Sequence, residues 1–133
     1  MREFAPLSLR RSQDMVLAEV SGEIDLSNAE DLRDEIVRWI TNEDRGLVVD
    51  LTSVTYADSA GMNLLFLLAR QLKDHGQIFG AVLPSDSQPR RAFDVVGMAD
   101  EISMFETLAD ARAWAERDSA TSPVDDEGSS AER

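Results

Sequence analysis

Apolar and polar positions change period several times along the chain, and each change predicts an element. Leu7 to Arg11 and Met15 to Ser21 read as two strands around a turn at Ser12, Gln13 and Asp14. In the second strand Val16, Ala18 and Val20 alternate with Leu17, Glu19 and Ser21, so one face is apolar and the other mixed. Gly22-Glu23-Ile24-Asp25 closes this hairpin. From Ser27 the period lengthens to that of a helix. Ser27 is a good N-cap, Glu30 completes a capping box, and Ala29, Leu32, Ile36 and Ile40 form one apolar stripe. The helix ends before Asn42-Glu43-Asp44-Arg45-Gly46. The run from Leu47 to Leu51 is almost continuously apolar and predicts a buried strand, followed by a short polar loop carrying Asp58 and Ser59.

A second helix then runs to about His75, with Gly76 as its C-terminal cap. Met62, Leu64, Leu65, Phe66, Leu67 and Leu68 make it apolar over much of its surface, which predicts a central helix. Gln77 to Leu83 reads as a strand stopped by Pro84, and Ser85 to Gln88 as a loop. A short helix from Pro89 to Gly97 follows, then a strand from Ile102 to Phe105. A last helix spans Thr107 to Arg117, with Leu108, Ala111, Ala115 and Trp114 inward. The order β-β-α-β-α-β-α-β-α predicts an α/β domain with crossover units and a mixed, mostly parallel sheet. From Asp118 onward almost no large apolar residue remains, so residues 118–133 are expected to be a disordered acidic tail.

Charge narrows the partners. The formal net charge is −13, and residues 116–133 supply only −4 of it, from six acids and two arginines. The acidity therefore belongs to the body too, where it disfavours nucleic acid and anionic membrane and suits a basic protein partner. The chain has no cysteine, one lysine and one histidine, so a disulfide framework, a thiol nucleophile and a zinc site are not expected. No apolar run reaches membrane-spanning length, and a cytoplasmic protein without cofactor is expected.

The candidate chemistry sits at the junction of the buried strand and the second helix, at Asp58 and Ser59. Catalysis by Ser59 fails on spacing. His75 lies at the other end of that helix, about 24 Å away at 1.5 Å per residue. There is no Gly-x-Ser-x-Gly elbow and no phosphate-binding Gly-rich loop with Lys-Ser/Thr. A receiver-type phosphoacceptor needs an acid cluster and a lysine on a later loop, whereas Lys73 lies near the end of a helix. Ser59 is thus a residue acted upon rather than a catalyst. Ala60 and Gly61 leave its hydroxyl approachable, and Asp25 is expected on the same edge. A phosphate there would add about −1.5 to −2 charges at pH 7. A helix N-terminus tolerates it, while Asp58 and Asp25 repel it.

Three segments resemble the STAS domain family, and bacterial anti-sigma factor antagonists in particular. They are Gly22-Glu23-Ile24-Asp25, Val48-Val49-Asp50-Leu51 through Tyr56-Ala57-Asp58-Ser59-Ala60-Gly61, and Arg90-Arg91-Ala92-Phe93-Asp94-Val95-Val96-Gly97-Met98. The resemblance covers residues 5–117, taken as the STAS domain, and implies a mixed sheet with helices on one side. It implies an unphosphorylated form that binds an anti-sigma factor, usually a serine kinase, and so frees a sigma factor in a stress response. Phosphorylation at Ser59 ends the binding, and a serine phosphatase reverses it. The partner surface implied is Asp25, Ser27, Asp58, Ser59, Ala60, Gly61, Met62 and Asn63. Met62-Asn63 departs from the commoner Leu-Gly and places Asn63 near partner choice. Self-association is expected at most as a weak homodimer. The alternative is a non-switching scaffold or regulatory subunit of a transport or stress-sensing complex, with Ser59 only a cap.

Overall fold

Gln13 and Asp14 both take positive φ, 53° and 65°, and reverse the chain at the first turn. Two left-handed central residues give the hairpin twist that flanking strands require. The structure, a computed structural model, describes residues 6–96 and 102–121. Strands β1 (Leu7–Ser12) and β2 (Met15–Ile24) pair antiparallel around that turn. There follow α1 (Ala29–Trp39), β3 (Gly46–Ala57), α2 (Ser59–Asp74), β4 (Ile78–Val82), α3 (Gln88–Val96), β5 (Ser103–Phe105) and α4 (Leu108–Thr121). The element order is the one predicted. The sheet order is β1-β2-β3-β4-β5, with β2, β3, β4 and β5 parallel. It is therefore mixed and mostly parallel, with β3 in the middle.

One expectation needs correction: the helices do not all lie on one side. Val16, Ala18, Leu47 and Val49 pack with Leu32, Ile36, Leu65, Leu68 and Phe93 in the main core, under α1, α2 and α3. Met15, Val48 and Val82 point the other way and pack with Ala111 and Ala115 of α4. The reason lies in the Leu47-Val48-Val49 run itself. A strand with apolar residues at every position buries both faces and needs cover on both.

The end of β3 departs from simple alternation. Leu47, Val49 and Leu51 face the main core at a spacing of two, then Val54 and Ala57 at a spacing of three. Two register shifts against β2 account for it, each giving β3 one extra residue. At the last helix, α4 continues to Thr121, so the first four residues of the predicted tail are helical. Once a helix is nucleated, each added residue gains one hydrogen bond. Residues 122–133, Gly97 and Met98 lie outside the described residues.

An ion pair between a buried carboxylate, Asp44, and the partly exposed Arg11 closes the turn between α1 and β3. Asp44 is 5% exposed. Arg11 Nε donates to Asp44 Oδ1 at 2.7 Å, and Arg11 Nη2 donates to Oδ2 at 3.1 Å. The Thr41 N–H donates to Asp44 Oδ2 at 2.8 Å. Burial pushes the Asp44 carboxyl up, but the bonds from Arg11 and Thr41 together outweigh it and hold it below the usual carboxylate range. A carboxyl lowered in the folded state stabilises above its unfolded pKa, and that contribution is lost as pH falls through the folded value. Asp44→Ala is expected to lower stability by about 2–4 kcal/mol in urea unfolding at neutral pH. The gap from wild type narrows in acid, below about pH 4. A pH-independent gap would refute this account.

Candidate functional site

Parallel pairing makes β2 and β3 finish together. Ile24 lies opposite Ala57, and the Asp58 N–H donates to the Ile24 carbonyl at 3.2 Å. Asp25 and Asp58 therefore leave the sheet on the same carboxyl edge, as expected from their sequence positions. Such edges are where open α/β sheets present their sites.

Among the described residues no strand flanks the other side of the β3 end, because β4 pairs with β3 only as far as Asp50. Gln88 takes its place. Its Oε1 accepts from the Ala57 N–H at 2.9 Å, and its Nε2 donates to the Ala57 carbonyl at 3.2 Å. An unpaired buried peptide group is costly, so this side chain fixes the backbone just before Asp58. Sequence reasoning placed Gln88 in a loop. A single glutamine standing in for a strand has no local pattern that reveals it.

The predicted polar loop at Asp58 and Ser59 is absent, and the strand passes directly into α2. Asp58 has extended backbone, and its carboxylate accepts from the N–H of Ala60 at 2.9 Å and of Gly61 at 3.3 Å. Asp58 is thus the N-cap. Ser59 is the first helical residue, exposed, and its hydroxyl makes no hydrogen bond among the described residues. The reading of Ser59 as only a cap is corrected by this geometry, since the cap position is already filled.

Gly61 brings α2 down onto the sheet. A Cβ there would lie 3.0 Å from the Ala57 Cβ and 3.3 Å from the Ile24 Cγ2. Gly61 and Met62 are both buried, Met62 at 4% exposure within the main core. Both therefore lie beneath the surface that carries Ser59 and Asn63. The helical period turns Gly61, Met62, Leu65 and Leu68 inward and leaves Ser59 and Asn63, one turn apart, exposed.

The β2–α1 turn also differs from expectation. Ser27 does not cap α1, which begins two residues later at Ala29. Buried Asn28 accepts from the Asp25 N–H at 3.0 Å and donates to the Glu23 carbonyl at 2.9 Å, so it clamps the turn. Asparagine offers both a donor and an acceptor here, which a serine hydroxyl cannot place at two backbone sites at this reach. Ser27 instead holds Asp25: its hydroxyl and its N–H both donate to Asp25 Oδ1. The Ser27 hydroxyl first, then the Ser27 N–H, keep the Asp25 carboxyl below its ordinary value.

Beside Ser59 a shallow groove of about 220 Å³ lies between α1 and α2. Its apolar lining comes from Leu26, Ala29, Ala60, Leu64 and Leu67. Leu26 is 84% exposed, an unusual position for leucine, and sits between Asp25 and Ser27. Sequence reasoning passed over it because one leucine in a turn carries no period. His75 directly follows the sixteen-residue α2, so it lies a helix length from Ser59.

The family model described as STAS domain matches residues 7–111, from β1 into α4. The chain belongs to the STAS family. Among STAS relatives, the anti-sigma-F factor antagonist RsfB of Mycobacterium tuberculosis is 30% identical over 92 residues, 69% of this chain and 74% of RsfB. The crystal structure of an anti-sigma factor antagonist from Mycobacterium paratuberculosis superposes with a TM-score of 0.75 at 25% identity, covering 84% of this chain and 93% of that one. The unphosphorylated form of the anti-sigma factor antagonist SpoIIAA shares the fold, with a TM-score of 0.65 at 18% identity over 84% of this chain and 98% of that one. The fold and the order of elements are thus those of STAS proteins.

Proposed function

We propose that this STAS protein is an anti-sigma factor antagonist whose binding is ended by phosphorylation at Ser59. One observation carries the reading. The Ser59 hydroxyl is exposed, makes no hydrogen bond among the described residues and stands at the start of α2, between a capping Asp58 and the neighbouring Asp25 turn. The similarity to RsfB supports the class of partner. The exposed contact set is Leu26, Ser27, Ser59 and Asn63, with half-buried Asp25, Asp58 and Ala60 between them. Gly61 and Met62 act from beneath by setting the position of Ser59. The unphosphorylated form docks on an anti-sigma factor with serine kinase activity and releases its sigma factor. The kinase then transfers phosphate to Ser59, and a serine phosphatase restores the binding form. The protein works by binding rather than by its own chemistry.

The test is direct. After incubation with the cognate kinase and ATP, intact mass is expected to show one added phosphate, located at Ser59 by fragmentation. Ser59→Ala is expected to bind the kinase and gain no phosphate. A kinase that binds the wild-type protein yet adds no phosphate would exclude the switch and leave a plain binding module.

A further inference from the structure

We propose that the face of the sheet opposite the Ser59 helices carries a second site, for an amphipathic anion of the carboxylate class. The site follows from uneven cover. Among the described residues three helices cover one face, whereas α4 alone covers the other, packing on β4 and β5. The part of that face formed by the β1–β2 hairpin and β3 is left as a cleft of about 380 Å³ beside α4. That is within the range of about 300–1,000 Å³ usual for small-ligand pockets.

The lining has two chemistries. Met15, Leu17, Val48 and Ala115 belong to the second core cluster and make an apolar floor. Arginines supply the rim, in a chain whose net charge is −13. Arg45 is held in place: its Nε and Nη2 donate to the Gln13 carbonyl and its Nη1 to the Ala115 carbonyl. Arg112 stands exposed on α4 and makes no ion pair among the described residues. Arg10, across the cleft on β1, meets Glu19 at 3.2 Å in an exposed pair. Such pairs contribute little, so a ligand carboxylate competes readily for Arg10. Arg11 also borders the cleft, but its guanidinium is committed to Asp44 and the Trp39 carbonyl. Among the described residues one acid, Glu116, lies in the lining, which favours a singly charged head group over a dianion. A planar carboxylate suits the guanidinium fork, and an attached hydrocarbon chain suits the floor. The site is separate from Ser59 and does not depend on the switch.

Decanoate, kept below its micelle concentration, is the probe, and amide shifts of the full chain are the readout. Saturable shifts are expected at Leu17, Val48, Arg112 and Ala115, with none at Leu26 or Leu67. Decanol tests the charge and inorganic phosphate tests the hydrocarbon, and neither is expected to reproduce the pattern. Arg112→Gln, an exposed position that leaves the core untouched, is expected to weaken decanoate binding about tenfold. Arg10→Gln is expected to act in the same direction. Equal affinity for decanol, an unchanged affinity in both variants, or shifts confined to the groove beside Ser59 would each overturn the proposal. So would self-association of the free protein that masks the same amides.

Discussion

Ser59→Asp is expected to weaken binding to the anti-sigma factor by about 100-fold while leaving the fold unchanged. The fold half of this expectation rests on the helix terminus. A negative charge at the first position of α2 is favoured by the helix dipole by about 0.3–1 kcal/mol. Ser59 is exposed, so the longer side chain displaces nothing. The binding half rests on crowding and desolvation. Asp58 already directs its carboxylate at the first N–H groups of α2, and the Asp25 carboxyl is held in its charged form by Ser27. A third negative group joins two carboxylates that each already hold their own donors, Ser27 for Asp25 and the first N–H groups of α2 for Asp58. A partner that covers Ser59 must strip water from that charge, and an uncompensated buried charge costs several kcal/mol. A full phosphate, with about two charges, is expected to act more strongly than the aspartate. Titration calorimetry against the anti-sigma factor measures the affinity, and thermal melting checks the fold. An affinity within threefold of wild type with an unchanged melt would remove charge as the signal, with the added phosphate of the mass experiment still standing or falling by itself.

Gly61→Val is expected to cost about 3 kcal/mol of stability and, under the proposed switch, to slow phosphorylation of Ser59 in whatever fraction stays folded. A β-carbon at position 61 already sits 3.0 Å from the Ala57 Cβ and 3.3 Å from the Ile24 Cγ2. Valine adds two methyl groups to that contact. The atoms it meets belong to buried side chains at the ends of β2 and β3, which Gln88 and the Ile24–Ala57 pairing hold in place. Overpacking of this kind costs about 1–3 kcal/mol and sometimes more. Relief comes from lifting the first turn of α2, which moves Ser59 relative to Asp58 and Asp25. Urea unfolding gives the stability term. Phosphorylation at equal folded concentration gives the positional term, which a purely destabilised protein would not show. Wild-type stability in Gly61→Val would refute the close-approach account.

Much of the architecture was legible because it is local or periodic. Alternation in β2, the stripe on α1 and the apolar breadth of α2 each express burial of a face by a regular element. The order of those elements, with the signature around Asp58-Ser59-Ala60-Gly61, was enough for the family. Asp25 and Asp58 also read correctly, because parallel pairing of consecutive strands brings their ends to one edge. The side assigned to α4 did not follow from the family resemblance, although Leu47-Val48-Val49 contained the information. Alternate residues of an extended strand point to opposite faces, and both sets were apolar.

What the chain determined by itself was the period of each element, the family and the serine that stands at the strand–helix junction. Only the tertiary structure decided which side chain caps α2, that Asn28 rather than Ser27 clamps the neighbouring turn, and that Met62 faces inward. It alone joined Gln88 to the end of β3, 31 residues away in sequence, and opened the arginine-rimmed cleft beside α4. The physical reason is common to these cases. Hydrophobic burial imposes a period that repeats along the chain, whereas a hydrogen bond or a close approach is made once, between groups that folding alone brings together.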